Sequence, residues 1–187
     1  MSDPAKKKAA YADLCSVPEN LVGEIIDGEL IATPRPLYRH GLAFSVLGAM
    51  IVPPYQFGRG GGPGGWWVLD EPEIHLGEHV LVPDLAGWKR ERMPSLPETN
   101  WTGIAPDWVC EILSPGTFRL DRIQKMPIYA QFSVSFLWLI DPDHKVLETF
   151  RLELGRWSLL GTYLEDDKVR AEPFHEIEID LNNLWAG

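Results

Sequence analysis

The sequence predicts an α/β protein built on an α+β mixed sheet, with flanking helices and additional β-hairpins. Short apolar runs alternate with helical patterns, and 17 glycines and 16 prolines separate them along 187 residues. This length and a 45% hydrophobic content suit one compact domain with a buried core. We therefore expect a single domain over residues 1–187, with residues 1–10 disordered.

The N-terminal part predicts a short helix and a hairpin. Residues 9–15 have a helical pattern that Pro18 ends. The apolar segments 21–26 and 30–32 flank Asp27-Gly28, a dipeptide that favours the type I′ turn of a two-residue hairpin.

A longer helix is predicted over residues 38–52, where Leu42, Val46, Ala49 and Met50 recur at helical spacing before Pro53-Pro54. The glycine run at 57–65 formally matches GxGxxG. It follows a helix and precedes a strand, which is the wrong context for a phosphate-binding loop, so we expect a flexible connection.

The rest of the chain reads as strands with one more helix. Residues 66–76 and 80–88 predict a hairpin joined at Gly77-Glu78, and the Pro-rich segment 90–105 predicts a long loop. The remaining elements are a buried strand at 107–113, a helix at 118–132 that Pro127 kinks or divides, a buried strand at 136–140, a hairpin at 146–152 and 157–163, and an edge strand at 177–181.

Composition excludes several classes of protein. The longest apolar run, 136–140, is far shorter than the roughly 20 residues of a membrane span, and no apolar segment follows the N-terminal lysines as in a secretory signal. We therefore expect a cytoplasmic protein. Cys15 and Cys110 lack the spacing of a disulfide framework or a zinc site, and we expect Cys110 to be buried.

The net charge of -10 argues against strong nonspecific binding to nucleic acid, which depends on Lys and Arg neutralising phosphates. Basic residues nevertheless cluster locally. The candidates for phosphate contacts are Lys89, Arg90, Arg92, Arg119 and Arg122.

Two carboxylates in apolar strand segments are the most informative residues. Asp84 and Glu111 each need a partner if they are buried and ionised, and a structural ion pair or an exposed edge position is the alternative. Asp107 lies four strand residues from Glu111, about 13 Å away, which is too far to share one Mg²⁺. Glu111 therefore needs a partner from a neighbouring strand, and Asp84 can supply it.

The helix at 118–132 contributes the third candidate, Lys125. Asp121, Lys125 and Tyr129 are spaced i, i+4 and i+8 and so share one helix face. Either this face is exposed and carries a solvated ion pair, or it points back at the strand ends.

These residues, taken in order, resemble the Uma2 family of nucleases in the PD-(D/E)XK superfamily. The resemblance covers residues 20–152 and rests on the ordered segments IIDGEL at 25–30, His40, VPDLA at 82–86, VCEILSP at 109–115, Asp121, Lys125, Tyr129, and FLWLIDP at 136–142. It implies a restriction-endonuclease-like core and hydrolysis of DNA phosphodiester bonds.

The resemblance also implies roles for the residues. Asp84 and Glu111 would hold Mg²⁺ or Mn²⁺, with the backbone carbonyl of Ile112 as a further ligand. The superfamily lysine is expected at position 113, which is Leu113 here, so Lys125 would replace it from the helix.

Three further residues are supporting candidates. Glu73 could face the metal as an additional ligand or as a hydrogen-bond partner of the ligands. His40 resembles a histidine of the family's first long helix, although a lone histidine is more often structural. Glu24 resembles an acidic position of the family's first hairpin, where a strand charge is usually solvated.

The leading hypothesis is thus a metal-dependent endonuclease whose binding to DNA is weak and salt-sensitive. One alternative is a catalytically inactive module for binding or assembly, which Leu113 favours, and another is hydrolysis of a phosphoester outside nucleic acids. Eight tryptophans and an apolar C-terminal hairpin leave surface to bury, so we also expect a homodimer.

Overall fold

A computed structural model describes residues 8–35 and 37–186 and contains three β-sheets with a few short helices. The strands are β1 (Leu21–Ile26), β2 (Glu29–Pro34), β3 (Trp66–Asp70), β4 (Glu73–Leu76), β5 (His79–Leu81), β6 (Leu85–Lys89), β7 (Trp101–Thr102), β8 (Trp108–Ile112), β9 (Phe136–Asp141), β10 (Val146–Glu153), β11 (Arg156–Leu164), β12 (Lys168–Val169) and β13 (Ile179–Asp180). The helices are α1 (Tyr11–Leu14), α2 (Tyr38–Ile51) and α3 (Met126–Gln131), with a 3₁₀ turn at Leu181–Leu184.

The first hairpin forms where the sequence predicted it. Strands β1 and β2 pair with Ile26 opposite Glu29, which leaves Asp27 and Gly28 as the two turn residues. Their φ angles of 52° and 77° are those of a type I′ turn. The predicted disorder of residues 1–7 lies outside the described residues, whereas the Ala9 amide donates to the Gly28 carbonyl at 2.7 Å.

The second predicted hairpin is split between two sheets, which corrects the sequence prediction. Strand β3 pairs with β6 in a six-stranded sheet, while β4 pairs with β5 in a five-stranded sheet. Segment 66–76 breaks because Glu71 adopts a φ of 41° and Pro72 has no amide to donate. Segment 80–88 breaks at Pro83, and the Glu71 amide donates to the Asp84 carbonyl where the two chains cross between sheets.

The six-stranded sheet has the order β11-β10-β9-β8-β6-β3 and forms the centre of the molecule. Strand β8 is buried along its whole length and runs parallel to β9, as expected for a strand with apolar residues on both faces. Cys110 and Ile112 pack in one core with α2, and Val109 and Leu113 pack in the other. The predicted burial of Cys110 is confirmed.

Both longer helices contain π-helical turns next to prolines. Helix α2 continues through Val52–Gln56 as a π-helix, so Pro53 and Pro54 widen the helix instead of ending it. The helix predicted over 118–132 is divided, as expected from Pro127, into a π-helical segment at Leu120–Lys125 and then α3. A proline lacks the amide donor of a regular helix and clashes with a carbonyl of the preceding turn, which accounts for the wider winding.

The remaining connections are more structured than the sequence predicted. The glycine run turns back on the π-helical turn of α2, and a Cβ on Gly62 would lie 2.2 Å from the Pro54 Cβ. The loop at 90–105 contributes β7, which pairs in parallel with β4. The edge strand predicted at 177–181 corresponds to β13, which pairs with β12 in a separate two-stranded sheet and does not extend a larger one. Across the described residues, no helix is long and apolar enough to cross a membrane.

Candidate active site

Asp84 lies between β5 and β6, at the point where the chain passes from one sheet to the other. One carboxylate oxygen accepts the Ile112 amide at 2.7 Å, and the other lies 3.1 Å from Nε2 of His40 on α2. The carboxylate therefore links the end of β8 to the first long helix. Ile112, whose carbonyl was predicted as a metal ligand, lies against Asp84 through its backbone.

Glu111 is on β8 and is only 2% exposed. Its Oε1 accepts the hydroxyl of Tyr129 at 2.5 Å and lies 2.8 Å from Nζ of Lys125. Both donors come from the helix that follows β8, so this helix face points back at the strand end.

Lys125 is 2% exposed and contacts three carboxylates. Besides Glu111, its Nζ lies 3.0 Å from Glu24 and 3.7 Å from Asp121. Glu24 also accepts the Val82 amide at 2.8 Å. The general expectation that a charge on the first hairpin is solvated does not hold for Glu24, because the five-stranded sheet packs its side chain against Lys125.

Burial and neighbouring charges shift the pKa values of Glu111, Asp121 and Lys125. Burial raises the pKa of Glu111 well above its usual range, with Lys125 opposing the shift. Burial also raises the pKa of Asp121 to about 6, again against Lys125. Burial lowers the pKa of Lys125, but the charges of Glu111 and Glu24 outweigh it and the pKa is raised well above its usual range. Lys125 therefore stays protonated near neutral pH.

His40 titrates under the influence of Asp84. Burial lowers its pKa, but the hydrogen bond and the charge of Asp84 outweigh that effect, with help from Asp121 and the Ile112 backbone, and the net pKa is raised. A protonated imidazole thus neutralises part of the Asp84 charge.

These side chains line a pocket of about 70 Å³. Five carboxylates line it, Glu24, Glu71, Asp84, Glu111 and Asp121, against the two basic side chains His40 and Lys125, so the pocket favours a bound cation. Within 8–35 and 37–186, no three His, Cys, Asp or Glu side chains form a preformed metal centre. Mg²⁺ usually needs only one or two carboxylates together with waters and phosphate, and the donor set fits that requirement.

Glu73 lies outside this pocket, which corrects the expectation that it faces the metal. Its Oε1 contacts His75 Nε2 at 2.8 Å and accepts the Tyr11 hydroxyl at 2.8 Å. Glu73 points elsewhere because β4 belongs to the five-stranded sheet and is not paired with the segment that carries Asp84.

The basic residues fall into two groups. Lys89 is the last residue of β6, and about 16 Å of strand separate it from Asp84. The expectation that Lys89, Arg90 and Arg92 lie beside the acidic pocket is therefore wrong. Arg90 is held by the carbonyls of Gln56 and Trp66, and Arg92 pairs with Asp107 at 3.0 Å. The second group lies on the helix that carries Lys125.

Within that second group, the two arginines differ. Arg122 pairs with Glu148, whereas Arg119 is exposed at the start of the π-helical segment. Arg119 is thus the exposed predicted phosphate contact on this helix, and it adjoins Leu120 of the pocket lining.

Several residues of the pocket were not predicted from the sequence, among them Glu71, Ser114 and Thr117. Glu71 lies at the crossing point between sheets and pairs with Arg35 at 2.7 Å. The hydroxyls of Ser114 and Thr117 form a hydrogen bond just before the helix that carries Lys125, and Thr117 is also hydrogen-bonded to Asp121. The Ser-Pro-Gly-Thr run is a helix-start signal that could have indicated the last two.

Comparisons with known proteins agree with this architecture. The sequence pattern of the Uma2 family, described as "Putative restriction endonuclease", matches residues 8–182. A crystal structure of "a putative nuclease belonging to DUF820" from Anabaena variabilis superposes with a TM-score of 0.76 at 24% identity and covers 95% of this chain and 98% of that chain. A comparison with curated proteins gives no match.

The structural likeness confirms the predicted mixed α+β fold, which this chain shares with the Anabaena variabilis protein. The family match extends over both predicted and unpredicted parts of the site, from the first hairpin to the C-terminal turn. The chain therefore belongs to the Uma2 family.

Proposed function

We propose that this protein is a metal-dependent endonuclease that hydrolyses DNA phosphodiester bonds. The observation that carries the proposal is the buried contact of 2.8 Å between Lys125 and Glu111, in the pocket that also contains Asp84. The family's description as a restriction endonuclease supports the same chemistry.

Asp84, Glu111 and the Ile112 carbonyl are the groups that would hold Mg²⁺ or Mn²⁺. When bound, the cation would polarise a phosphoryl oxygen and lower the pKa of a coordinated water. Asp84 is positioned for this by the Ile112 amide, and Glu111 by Tyr129, so both carboxylates keep their orientation.

Lys125 acts as a hydrogen-bond donor in this proposal. An ammonium has three N–H donors, and Glu111 and Glu24 accept two of them at 2.8 and 3.0 Å. The third can orient an attacking water and stabilise it as hydroxide. Because Lys125 stays protonated, it does this by charge and hydrogen bonding and not by accepting a proton.

The DNA contacts and the assembly state extend the same proposal. Arg119 is the favoured phosphate contact near the pocket, because Arg122 pairs with Glu148 and because Lys89, Arg90 and Arg92 lie at or beyond the end of β6 that is far from Asp84. A net charge of -10 makes this binding weak and salt-sensitive. The homodimer stays a prediction, and a monomer mass by light scattering would contradict it.

The alternative of an inactive binding module rested on Leu113. Leu113 is buried in the apolar core, so the strand position offers no lysine. Lys125 reaches Glu111 from the following helix, and this placement favours the enzyme over the module.

The test is cleavage of supercoiled plasmid at low salt with Mg²⁺ or Mn²⁺. The chain offers a matched pair of variants, Asp84→Asn and Asp107→Asn, because both aspartates follow a proline and both accept a backbone amide. We expect EDTA and Asp84→Asn to reduce nicking by at least about 100-fold, while Asp107→Asn retains activity.

Equal nicking by wild type and Asp84→Asn would indicate a contaminating nuclease and contradict the site. A silent wild-type protein with both metals would favour the binding module. Cleavage of a small phosphodiester alone, with Asp84 required, would favour a substrate outside nucleic acids.

A further inference from the structure

A cleft of about 880 Å³ lies beside the acidic pocket and has no role in the proposed chemistry. Val22, Glu71 and Val82 line both the cleft and the pocket, so the two spaces adjoin. The cleft's size falls within the range of small-molecule and substrate sites. A group bound in it would be next to a phosphate bound in the pocket.

An aromatic platform forms part of the cleft wall. Trp101 is 37% exposed, and its ring stacks on that of His75 with centroids 4.3 Å apart and planes 13° apart. Tyr11 packs against the edge of His75 at 5.1 Å. Glu73 holds both His75 and Tyr11 by hydrogen bonds of 2.8 Å. The stack is therefore fixed in place before any ligand arrives.

The charge of the cleft selects what can bind there. Among the described lining residues, carboxylates outnumber guanidinium groups. The carboxylates are Glu19, Asp70, Glu71 and Glu73, and the guanidinium group of Arg35 is already paired with Glu71. A phosphate would be repelled. A neutral planar ring would gain stacking on Trp101 without that penalty.

The depth of the acidic pocket points in the same direction. Its volume is about 70 Å³, and Glu111 and Lys125 are each 2% exposed. A phosphate of a regular duplex is fixed on the outside of a wide helix whose bases are stacked and paired with a second strand, which limits how far it can enter. A strand whose bases are unstacked can follow its phosphate into so narrow a site.

We propose that the cleft binds an unstacked nucleobase of single-stranded DNA on the Trp101 platform, next to the phosphate that enters the acidic pocket. This inference rests on the proposed function, whose substrate it narrows from DNA in general to single-stranded or locally unpaired DNA. Stacking is tolerant of sequence because every base has a π-face, so it would give little sequence preference.

The experiment compares two probes of equal backbone charge: a short oligothymidylate and an abasic oligomer of the same length. Their affinities are measured by fluorescence anisotropy at low salt with Ca²⁺ in place of Mg²⁺, so that a cation can offset the carboxylates of the pocket, and gel analysis of the probes verifies that they stay intact. We expect wild type to prefer oligothymidylate by about tenfold, Trp101→Ala to remove the preference, and Trp101→Tyr to restore most of it. Phe57→Ala is the control, since Phe57 is an exposed aromatic outside the cleft.

Thermal unfolding of each variant verifies that it is folded. Equal affinity of wild type for both probes, or an equal loss in Phe57→Ala, would overturn the inference. If plasmid is cleaved but Trp101 does not affect binding, the cleft proposal fails alone. If oligothymidylate binding depends on Trp101 but no DNA is cleaved, the cleft proposal stands and the nuclease proposal fails.

Discussion

Nζ of Lys125 lies 2.8 Å from Oε1 of Glu111, although one residue is on a helix and the other on the central strand β8. Both side chains are buried, and so is Glu24, which pairs with the same ammonium. The charges compensate one another in a region that excludes water. Each member of the cluster is therefore also a structural element, and variants of Lys125 must be assessed for stability as well as activity.

Replacing Lys125 by Met removes the cation while keeping a long apolar side chain. Glu111 and Glu24 would then be buried without compensation, which costs about 3–5 kcal/mol of unfolding free energy. The loss should be smaller in acid, where the carboxylates are protonated. Urea denaturation at two pH values measures both effects. Lys168→Met, at an exposed strand position, is the control and should change stability little.

Asp121 predicts a pH dependence of stability. Its folded pKa of about 6 exceeds the ordinary 3.8, chiefly because of burial. The folded protein therefore binds this proton more tightly than the unfolded chain does. The stabilisation is complete below about pH 4 and is lost as the pH rises through about 6, a change of about 3 kcal/mol.

Asp121→Asn should thus flatten the difference in stability between acid and neutral solution. Denaturant unfolding at pH values on either side of this window gives the measurement, with the exposed Asp166→Asn as control. An identical pH profile in wild type and Asp121→Asn would contradict the shifted pKa.

His40 predicts competition between a proton and a metal cation. The imidazole lies 3.1 Å from Asp84, and against the effect of burial the hydrogen bond and charge of Asp84 raise its pKa above the ordinary 6.5. Mn²⁺ affinity should rise with pH in this region by up to about tenfold per unit, the limit for one displaced proton. Calorimetric titration measures it. His40→Gln should weaken the dependence, and His144→Gln, an exposed histidine that also pairs with an aspartate, should leave it unchanged.

The sequence predicted the part of the site that depends on local spacing. Lys125 and Tyr129 lie one turn apart and both reach Glu111, and Asp84 lies on the strand segment next to β8. The rise per residue of a strand was enough to exclude Asp107 as a partner of Glu111 at one metal ion. These inferences needed only the periodicity of one helix and the pairing of two adjacent segments.

The contributions of the five-stranded sheet could not be predicted in the same way. Glu24 faces Lys125 and Glu73 faces His75 because the chain changes sheets at Glu71 and again at Asp84. A positive φ at a non-glycine residue leaves no clear mark in the sequence. Without that break, 66–76 reads as one strand, which would place Glu73 opposite Val82 and on the same face as Asp84.

The two basic groups predict different salt dependences of DNA binding. Arg119 is exposed on the helix that carries Lys125, whereas Lys89 lies at the far end of β6 from Asp84. A lost phosphate contact reduces the slope of log affinity against log salt by about 1. We expect that reduction for Arg119→Ala and an unchanged slope for Lys89→Ala, measured with the same oligonucleotide. The reverse result would place the DNA along the distal end of β6 and separate the binding surface from the acidic pocket.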